Sequence, residues 1–193
     1  MKVCGILLAA GASRRFGADK LRREVAEGKP MLVAAAERIL GTVDELVVVM
    51  RPGADGLTER LEAMGCRILY CPQAVDGMGN SLSCGVRASR QADAWLVALG
   101  DMPFVAADTV EQIVETLRQG AVLVAPSYEG KRGHPVGFGR VFLRDLEHLT
   151  GDEGARRVLR ENRRRLEILQ TRDRGVILDV DTPEDLTRGA GGG

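Results

Sequence analysis

The sequence predicts one α/β domain over residues 1–188, with a three-layer α/β/α, Rossmann-like arrangement around a mainly parallel sheet. Its 193 residues correspond to a single domain. Short apolar segments alternate with amphipathic helical segments along the chain, the pattern of parallel strands joined by helices. A hydrophobic fraction of 45% and a charged fraction of 28% are ordinary for a globular protein. The glycine-rich tail, residues 189–193, is expected to be disordered.

In the first half, short apolar runs predict strands covered on both faces. They alternate with segments in which apolar residues recur on one helical face. We expect strands at 3–8, 45–50, 67–70 and 94–99, with helices at 30–40 and 55–64, a loop at 71–79 and a helix starting near Asn80.

The second half begins with a clear amphipathic helix at 108–119, in which Asp108 and Glu111 can form a capping box. Four glycines in 128–141 then indicate a loop and an added strand. The remaining pattern predicts strands at 122–125, 166–169 and 176–180, a helix at 154–162, and a last helix opened by Thr182 and Pro183.

Charge and composition exclude several classes of partner. Lys and Arg number 27 and Asp and Glu number 27, so no excess of cations favours nucleic acid or an anionic membrane. Aromatic residues make up only 4% of the chain, too few for base-stacking platforms. Because Arg14 and Arg15 directly follow the first apolar run, that run is interpreted as a buried strand rather than a signal peptide. We expect a cytoplasmic protein.

The four cysteines, at positions 4, 66, 71 and 84, contain no Cys-x-x-Cys pair. Their spacing supports neither a zinc site nor a disulfide scaffold. We interpret them as small buried thiols in a reducing compartment.

The segment after the first strand combines small and basic residues: Gly11, Ser13, Arg15, Gly17 and Lys20. Small residues let backbone amides approach an oxyanion, and basic side chains neutralise it. The spacing fits neither the P-loop nor the Gly-x-Gly-x-x-Gly fingerprint. A phosphate-binding loop and a solvated basic turn both remain open from these residues alone.

Two aspartates are expected at the carboxyl ends of strands. Asp101 follows the strand at 94–99, and Asp181 follows the predicted strand at 176–180, on the same side as Asp179. Ligands of α/β sheets bind at this edge, and Mg²⁺ prefers carboxylate and phosphate oxygens. The alternatives are a turn cap before Pro103 and an ordinary helix start after Asp181.

Two further stretches carry groups that suit substrates. Gln73, Gly79, Asn80 and Ser81 can approach a base edge, although Asn80 could also simply cap a helix. His134 lies in a glycine-rich loop beside Lys131 and Arg132, which suits an anionic second substrate; a structural histidine is the alternative.

These motifs together resemble a known family. Leu-x-Ala-Gly-x-Ser-x-Arg-x-Gly-x-x-Lys from Leu8 is similar to the signature of nucleotidyltransferases of molybdenum cofactor and sugar-nucleotide synthesis. The chain most resembles the molybdenum cofactor cytidylyltransferases, which carry Leu-Ala-Ala-Gly where guanylyltransferases favour Leu-Ala-Gly-Gly. The other matching motifs are Gly-Met-Gly-x-Ser, Gly-His-Pro-Val, Gly-Asp-x-Gly-Ala-Arg and Asp-x-Asp-Thr-Pro-Glu-Asp, which extend to residue 185.

The resemblance implies a nucleotidyltransferase fold and a Mg²⁺-dependent reaction between CTP and molybdopterin. It implies metal ligation by Asp101 and Asp181, and catalysis by Arg15, Lys20 and Asp101. It implies nucleotide contacts from Leu8, Ala9, Ala10, Gly11, Ser13, Arg15, Lys20, Gln73, Gly79, Asn80, Ser81 and Asp101, and pterin contacts from His134, Pro135 and Asp152.

Three alternatives stay open at this point. The nucleotide could be GTP, the acceptor could be a sugar phosphate, or the chain could be a non-catalytic chaperone that delivers cofactor to a molybdoenzyme. The eight arginines within 156–174 are interpreted as a solvated face, because acidic residues are interspersed among them. A nucleic-acid patch and a docking surface for a transient molybdoenzyme or chaperone partner are the other interpretations.

Overall fold

One mixed sheet of eight strands organises the part of the chain that the computed structural model describes, residues 1–11, 20–25, 28–52, 55–182 and 185–186. The strand order is β3-β2-β1-β4-β7-β5-β6, and β8 also pairs with β5. The strands are β1 (Val3–Leu8), β2 (Glu45–Met50), β3 (Arg67–Tyr70), β4 (Ala94–Leu99), β5 (Leu123–Tyr128), β6 (Lys131–Arg132), β7 (Val136–Gly139) and β8 (Leu166–Gln170).

The sheet is mainly parallel, which confirms the prediction. β1 pairs in parallel with β2 and β4, β2 with β3, and β5 with β8. β7 lies antiparallel between β4 and β5, and β6 is antiparallel to β5. The strands β1 to β4 therefore present their carboxyl ends at one edge of the sheet.

Helices cover both faces, so the three-layer arrangement is also confirmed. Side chains of β1 alternate: Val3 and Leu7 belong to a core shared with α1 and α4, whereas Cys4 and Ile6 belong to a core shared with α3 and α6. The helices are α1 (Met31–Glu37), α2 (Thr58–Ala63), α3 (Met78–Ala88), α4 (Ala107–Arg118), α5 (Leu143–Glu147) and α6 (Arg156–Glu161).

The strand predicted at 176–180 is wrong. Arg174–Ile177 forms a short 3₁₀ helix, and the following residues join no strand of the described sheet. The backbone groups of this segment bond to loops instead: the amide of His134 donates to the carbonyl of Val176 at 2.8 Å. Asp173 fixes the turn by accepting from the amide of Gly175 at 2.8 Å.

Two helix starts also differ from prediction. α4 begins at Ala107 without a side-chain cap, so the capping box of Asp108 and Glu111 is wrong. Asp173, distant in sequence, instead accepts from the amide of Ala106 at 2.8 Å. α3 begins at Met78, after a short 3₁₀ helix at Pro72–Asp76 within the predicted loop.

The prediction that all four cysteines are free thiols is wrong for two of them. Cys71 and Cys84 form a disulfide that links the end of β3 to α3. The spacing of the cysteines does not predict this pairing, because the partners are 13 residues apart and meet only when α3 packs beside β3. Cys4 and Cys66 are free and buried, and burial raises the pKa of the Cys4 thiol to about 11.

Across the described ranges, no helix combines the length and the apolar character needed to cross a membrane. The residues predicted to form a disordered tail, 189–193, lie outside those ranges, as does Pro183.

Candidate active site

The loops that follow β1 and β4 lie side by side at the carboxyl edge of the sheet. The amide of Gly100 donates to the carbonyl of Leu8 at 2.9 Å, and the amide of Ala9 donates to the carbonyl of Val49 at the same distance. A Cβ at Gly100 would lie 2.9 Å from a methyl group of Leu32 and 3.1 Å from the Leu8 carbonyl oxygen. The absence of a side chain at Gly100 thus lets the Asp101 turn lie directly against the β1 loop.

Three charged side chains from distant parts of the chain meet at this edge. The ammonium Nζ of Lys20 lies 3.0 Å from Oδ2 of Asp101 and 2.7 Å from Oδ1 of Asp181. Only 7% of the Lys20 surface is exposed, so this ammonium is desolvated and its charge is balanced by the two carboxylates. The predicted convergence of these three residues is present in the structure.

Asp181 reaches the cluster without belonging to a strand. The amide of Val180 donates to the carbonyl oxygen of Asp101 at 2.9 Å, which ties the two aspartate segments together. Asp185 then accepts from the amide of Asp181 at 3.1 Å and from the amide of Thr182 at 2.8 Å. Backbone hydrogen bonds therefore do the positioning that a strand was expected to do.

The cluster shifts the ionisation of its own members. Burial by itself lowers the pKa of Lys20, but the carboxylates of Asp181 and Asp101 outweigh it, and the net effect is a raised pKa. Burial, with Asp181 and Asp101 nearby, raises the pKa of Asp179. Among the described residues, the carboxylates of Asp101, Asp179 and Asp181 therefore lie close together around the ammonium of Lys20.

A cavity of about 520 Å³ opens beside the cluster. Its wall includes many residues predicted to contact a nucleotide: Leu8, Ala9, Ala10, Gly11, Lys20, Ser81 and Asp101. Arg51 also lines it and was missed by the sequence analysis, although it directly follows β2 at the same edge that identified Asp101. Val75 lines it too, and no sequence signal pointed to that residue.

The start of α3 forms one wall through a close backbone contact. The amide of Gly79 donates to the carbonyl of Gly151 at 2.7 Å, and a Cβ at Gly79 would lie 2.7 Å from the Thr150 carbonyl oxygen. Gly77 has a φ of +126° and likewise lies against the backbone of Gly151. These glycines let the loop that contains Thr150 and Gly151 pack against the start of α3. This packing places the next residue, Asp152, at the cavity wall.

A second cavity, of about 540 Å³, adjoins the first. Leu8, Met78, Leu99 and Asp101 line both cavities, so Asp101 lies where they meet. Apolar residues such as Val97, Val136 and Phe138 line part of the second cavity, and its charged lining residues are Asp101, Lys131, Arg132, Glu153, Arg156 and Asp179.

His134 lines the second cavity, while Asp152 lines the first, so the structure does not bring these two predicted pterin contacts into one cavity. The Nδ1 atom of His134 is buried and has no hydrogen-bond partner among the described residues. Burial lowers the pKa of the imidazole, so the ring is neutral at pH 7. Pro135 lies away from this cavity, lining a smaller one between α1 and α4.

Several predicted nucleotide contacts lie elsewhere. Gln73 is exposed, with its Oε1 atom 3.8 Å from the sulfur of Cys71, and it lines neither large cavity. Asn80 and Gly79 also lie outside the lining of both cavities. Ser13 and Arg15 fall outside the described residues.

The donor set suits a hard divalent cation that is shared with a phosphate ligand. Asp101 and Asp181 offer carboxylate oxygens on either side of the same ammonium. Within the ranges described above, no group of three or more His, Cys, Asp or Glu side chains could hold a metal by itself. Mg²⁺ characteristically uses one or two protein carboxylates together with substrate phosphates and water, so the residues fit that ion.

Comparison with known proteins gives matches over nearly the whole chain. A family profile described as "MobA-like NTP transferase domain" matches residues 5–167. Nicotine blue oxidoreductase from Paenarthrobacter nicotinovorans is 30% identical over 96% of this chain and 95% of the relative. A probable molybdenum cofactor guanylyltransferase from Thermococcus gammatolerans is 30% identical over 94% of this chain and 96% of the relative.

A solved structure shares the fold. The crystal structure of a homologue of Mycobacterium tuberculosis Rv0371c, from Mycobacterium sp. strain JC1, superposes with a TM-score of 0.80. It is 29% identical and the match covers 96% of this chain and 93% of that chain.

Proposed function

Because this chain belongs to the family of MobA-like NTP transferase domains, we propose that it joins CTP to molybdopterin, giving molybdopterin cytosine dinucleotide and pyrophosphate. The observation that carries the proposal is the position of Asp101, which lines two adjoining cavities and lies beside Lys20 and Asp181. Two substrates bound in these cavities would meet at that aspartate.

The reaction is a transfer of a cytidylyl group. An oxygen of the acceptor phosphate forms a bond to the α-phosphorus of CTP, and the bond from that phosphorus to the bridging oxygen breaks. Pyrophosphate leaves with the bonding electron pair. Asp101 and Asp181 would hold Mg²⁺, which when bound offsets the negative charge that develops on the phosphates.

The first cavity is the proposed CTP site. Residues 8–11 and Lys20 line it, and the ammonium of Lys20 would pair with the outer phosphates of CTP. Arg15 is proposed to act beside Lys20 on the leaving pyrophosphate, and Ser13 on the same phosphates. Because positioning and charge stabilisation supply most of the acceleration in phosphoryl chemistry, no protein nucleophile is required.

The second cavity is the proposed acceptor site. Its apolar lining residues, such as Val136 and Phe138, suit a flat ring system, and Arg156 and Lys131 suit an attached phosphate. His134 lines this cavity, and its neutral imidazole can exchange a hydrogen bond with a polar ring edge. Asp152 is proposed to approach the acceptor from the first cavity, near the junction.

A guanylyltransferase is the second candidate. The relative from Thermococcus gammatolerans that is named for that activity is 30% identical over almost the whole chain. Ala10 favours CTP, since the cytidylyltransferases carry Leu-Ala-Ala-Gly at this position and the guanylyltransferases favour Leu-Ala-Gly-Gly.

A release assay with purified molybdopterin tests the proposal. Pyrophosphate is measured with CTP, GTP or ATP, each with and without Mg²⁺. Release that requires Mg²⁺ and molybdopterin and is fastest with CTP supports the proposal, whereas a GTP preference supports the second candidate. Cofactor binding without pyrophosphate release from any nucleotide would contradict both and favour a delivery chaperone. One relative is named an oxidoreductase. Because the assay measures pyrophosphate, it detects group transfer and does not respond to an oxidation or reduction.

A further inference from the structure

We infer that Lys20 is an internal counter-ion that occupies the position of the divalent cation until a nucleotide arrives, so that metal binding and nucleotide binding are coupled. The inference rests on the proposed metal and nucleotide site. It concerns how that site is loaded rather than which reaction follows.

The geometry places the ammonium where a metal would be bound. Nζ of Lys20 bridges Oδ2 of Asp101, at 3.0 Å, and Oδ1 of Asp181, at 2.7 Å. A Mg²⁺ or Mn²⁺ ion held by the same two oxygens would lie at about 2.0–2.2 Å from each. The ion and the ammonium therefore exclude each other from the space between the carboxylates.

Charge favours the exchange once the ammonium has another partner. Within the described part of the chain, Lys20 is the cation that contacts both carboxylates, and it supplies one positive charge. A divalent cation in the same place would supply two. However, a displaced ammonium that stayed in its buried position without a partner would be strongly unfavourable.

The adjoining cavity gives the displaced ammonium its second partner. Lys20 lines the 520 Å³ cavity together with Gly11 and Arg51. A triphosphate in that cavity would pair with the ammonium as the cation takes over Asp101 and Asp181. Metal alone should then bind weakly, because its binding strands the ammonium, and metal with a triphosphate should bind tightly.

The alternative is that Lys20 is a permanent bridge that only holds the two aspartate segments together. In that case its removal would disturb both carboxylates and weaken metal binding. The two accounts thus predict opposite signs for the effect of removing the ammonium on the affinity for metal alone.

The test measures binding of Mn²⁺ alone by electron paramagnetic resonance, without nucleotide or acceptor. Lys20→Met should bind Mn²⁺ at least about tenfold tighter than the wild type, within the usual range of a coupling between sites. Lys20→Arg, which keeps the charge, should bind as weakly as the wild type. Lys29→Met removes a surface ammonium that pairs with Glu37 and should have no effect.

A second measurement checks the coupling itself. Adding CTP should tighten Mn²⁺ binding to the wild type by a larger factor than Mn²⁺ binding to Lys20→Met. Lys20→Gln gives the same comparison if Lys20→Met does not fold. Adding Asp101→Asn to the lysine variant should remove the gained affinity, which assigns it to this site.

Unchanged or weaker binding of Mn²⁺ alone in Lys20→Met and Lys20→Gln would overturn the inference. This outcome is separable from failure of the proposed function. A wild type that releases pyrophosphate, with no gain of Mn²⁺ affinity in the variants, contradicts only the counter-ion role. Intact coupling of Mn²⁺ and CTP without pyrophosphate release contradicts only the proposed reaction.

Discussion

Asp101 is a charged residue that the linings of the two large cavities share. It lines both of them and pairs with Lys20, while its backbone carbonyl accepts from Val180. The backbone contact holds the Asp181 segment in place whatever the side chain is. A substitution that removes only the carboxylate charge can therefore separate chemistry from folding.

Asp101→Asn is expected to lower pyrophosphate release by about a hundredfold or more, because a neutral amide is a poor ligand for Mg²⁺. The melting temperature and circular dichroism should stay near those of the wild type. Asp108→Asn, on the exposed face of α4, is the matched control and should keep full activity. Near-normal turnover of purified Asp101→Asn would reject Asp101 as a metal ligand.

His134 gives the free energy of unfolding a pH dependence of known sign. Burial lowers its pKa below 6.5, so the unfolded chain takes up a proton at a pH where the folded chain does not. Stability should therefore fall as the pH drops below about 6.5, down to the folded-state pKa. Urea titrations at about pH 7 and about pH 5 measure this loss.

His134→Gln should reduce the loss of stability between those two pH values. The chain has two histidines, and His148→Gln, on the exposed end of α5, serves as the control that leaves the loss unchanged. An identical pH dependence in the wild type and His134→Gln would show that the imidazole is not held neutral by burial.

At the scale of elements, α3 approaches the sheet closely at Gly85, which has no side chain. A Cβ at Gly85 would lie 2.7 Å from Cγ2 of Ile6 and 3.1 Å from Cγ2 of Val49. The helix therefore lies directly on β1 and β2, and its first turn reaches the cavity wall. This packing links an ordinary helix–sheet contact to the shape of the candidate nucleotide site.

Gly85→Ala should destabilise the protein by about 1–2 kcal/mol, because overpacking outweighs the roughly 1 kcal/mol that alanine gains over glycine within a helix. Denaturant unfolding measures the change. Asn80→Ala, on the same helix, reports the effect of an alanine that meets no such contact. In an Ile6→Ala background the cost of Gly85→Ala should shrink, and a stabilising Gly85→Ala in the wild type would refute the tight packing.

The disulfide between Cys71 and Cys84 connects the start of the 3₁₀ helix that carries Val75 to α3, which carries Ser81, and both residues lie at the cavity wall. A crosslink that closes a loop of this size stabilises a folded chain by about 2–3 kcal/mol. Dithiothreitol should therefore lower the urea midpoint of the oxidised wild type. The double variant Cys71→Ser/Cys84→Ser controls for other effects of the reductant, and an equal response of both proteins would argue against the crosslink.

At the scale of the molecule, the rule that ligands bind at the carboxyl ends of parallel strands predicted the position of the candidate site better than the local sequence patterns did. It brought Asp101 and Lys20 together correctly, and it would have identified Arg51 as well. It placed Asp181 correctly for the wrong reason, since the expected strand is a 3₁₀ helix followed by extended backbone.

What the sequence could not supply depends on contacts between distant segments. Asp173 caps the turn before α4 from 67 residues away, which no local capping motif can reveal. Gly79 was predicted to contact the nucleotide, but the backbone of Thr150 and Gly151 occupies the space beside it. Gln73 lies beside the disulfide between Cys71 and Cys84 and not at a large cavity. The spacing of the cysteines did not predict that disulfide, so this position of Gln73 could not be predicted either.

The most direct test of the whole account is a crystal structure of the protein grown with Mn²⁺ and a non-hydrolysable CTP analogue, examined by anomalous scattering. The account predicts a manganese peak between the carboxylates of Asp101 and Asp181, with the ammonium of Lys20 moved onto the triphosphate. A manganese peak away from both aspartates, or a nucleotide bound outside the cavity lined by Gly11 and Ser81, would contradict it.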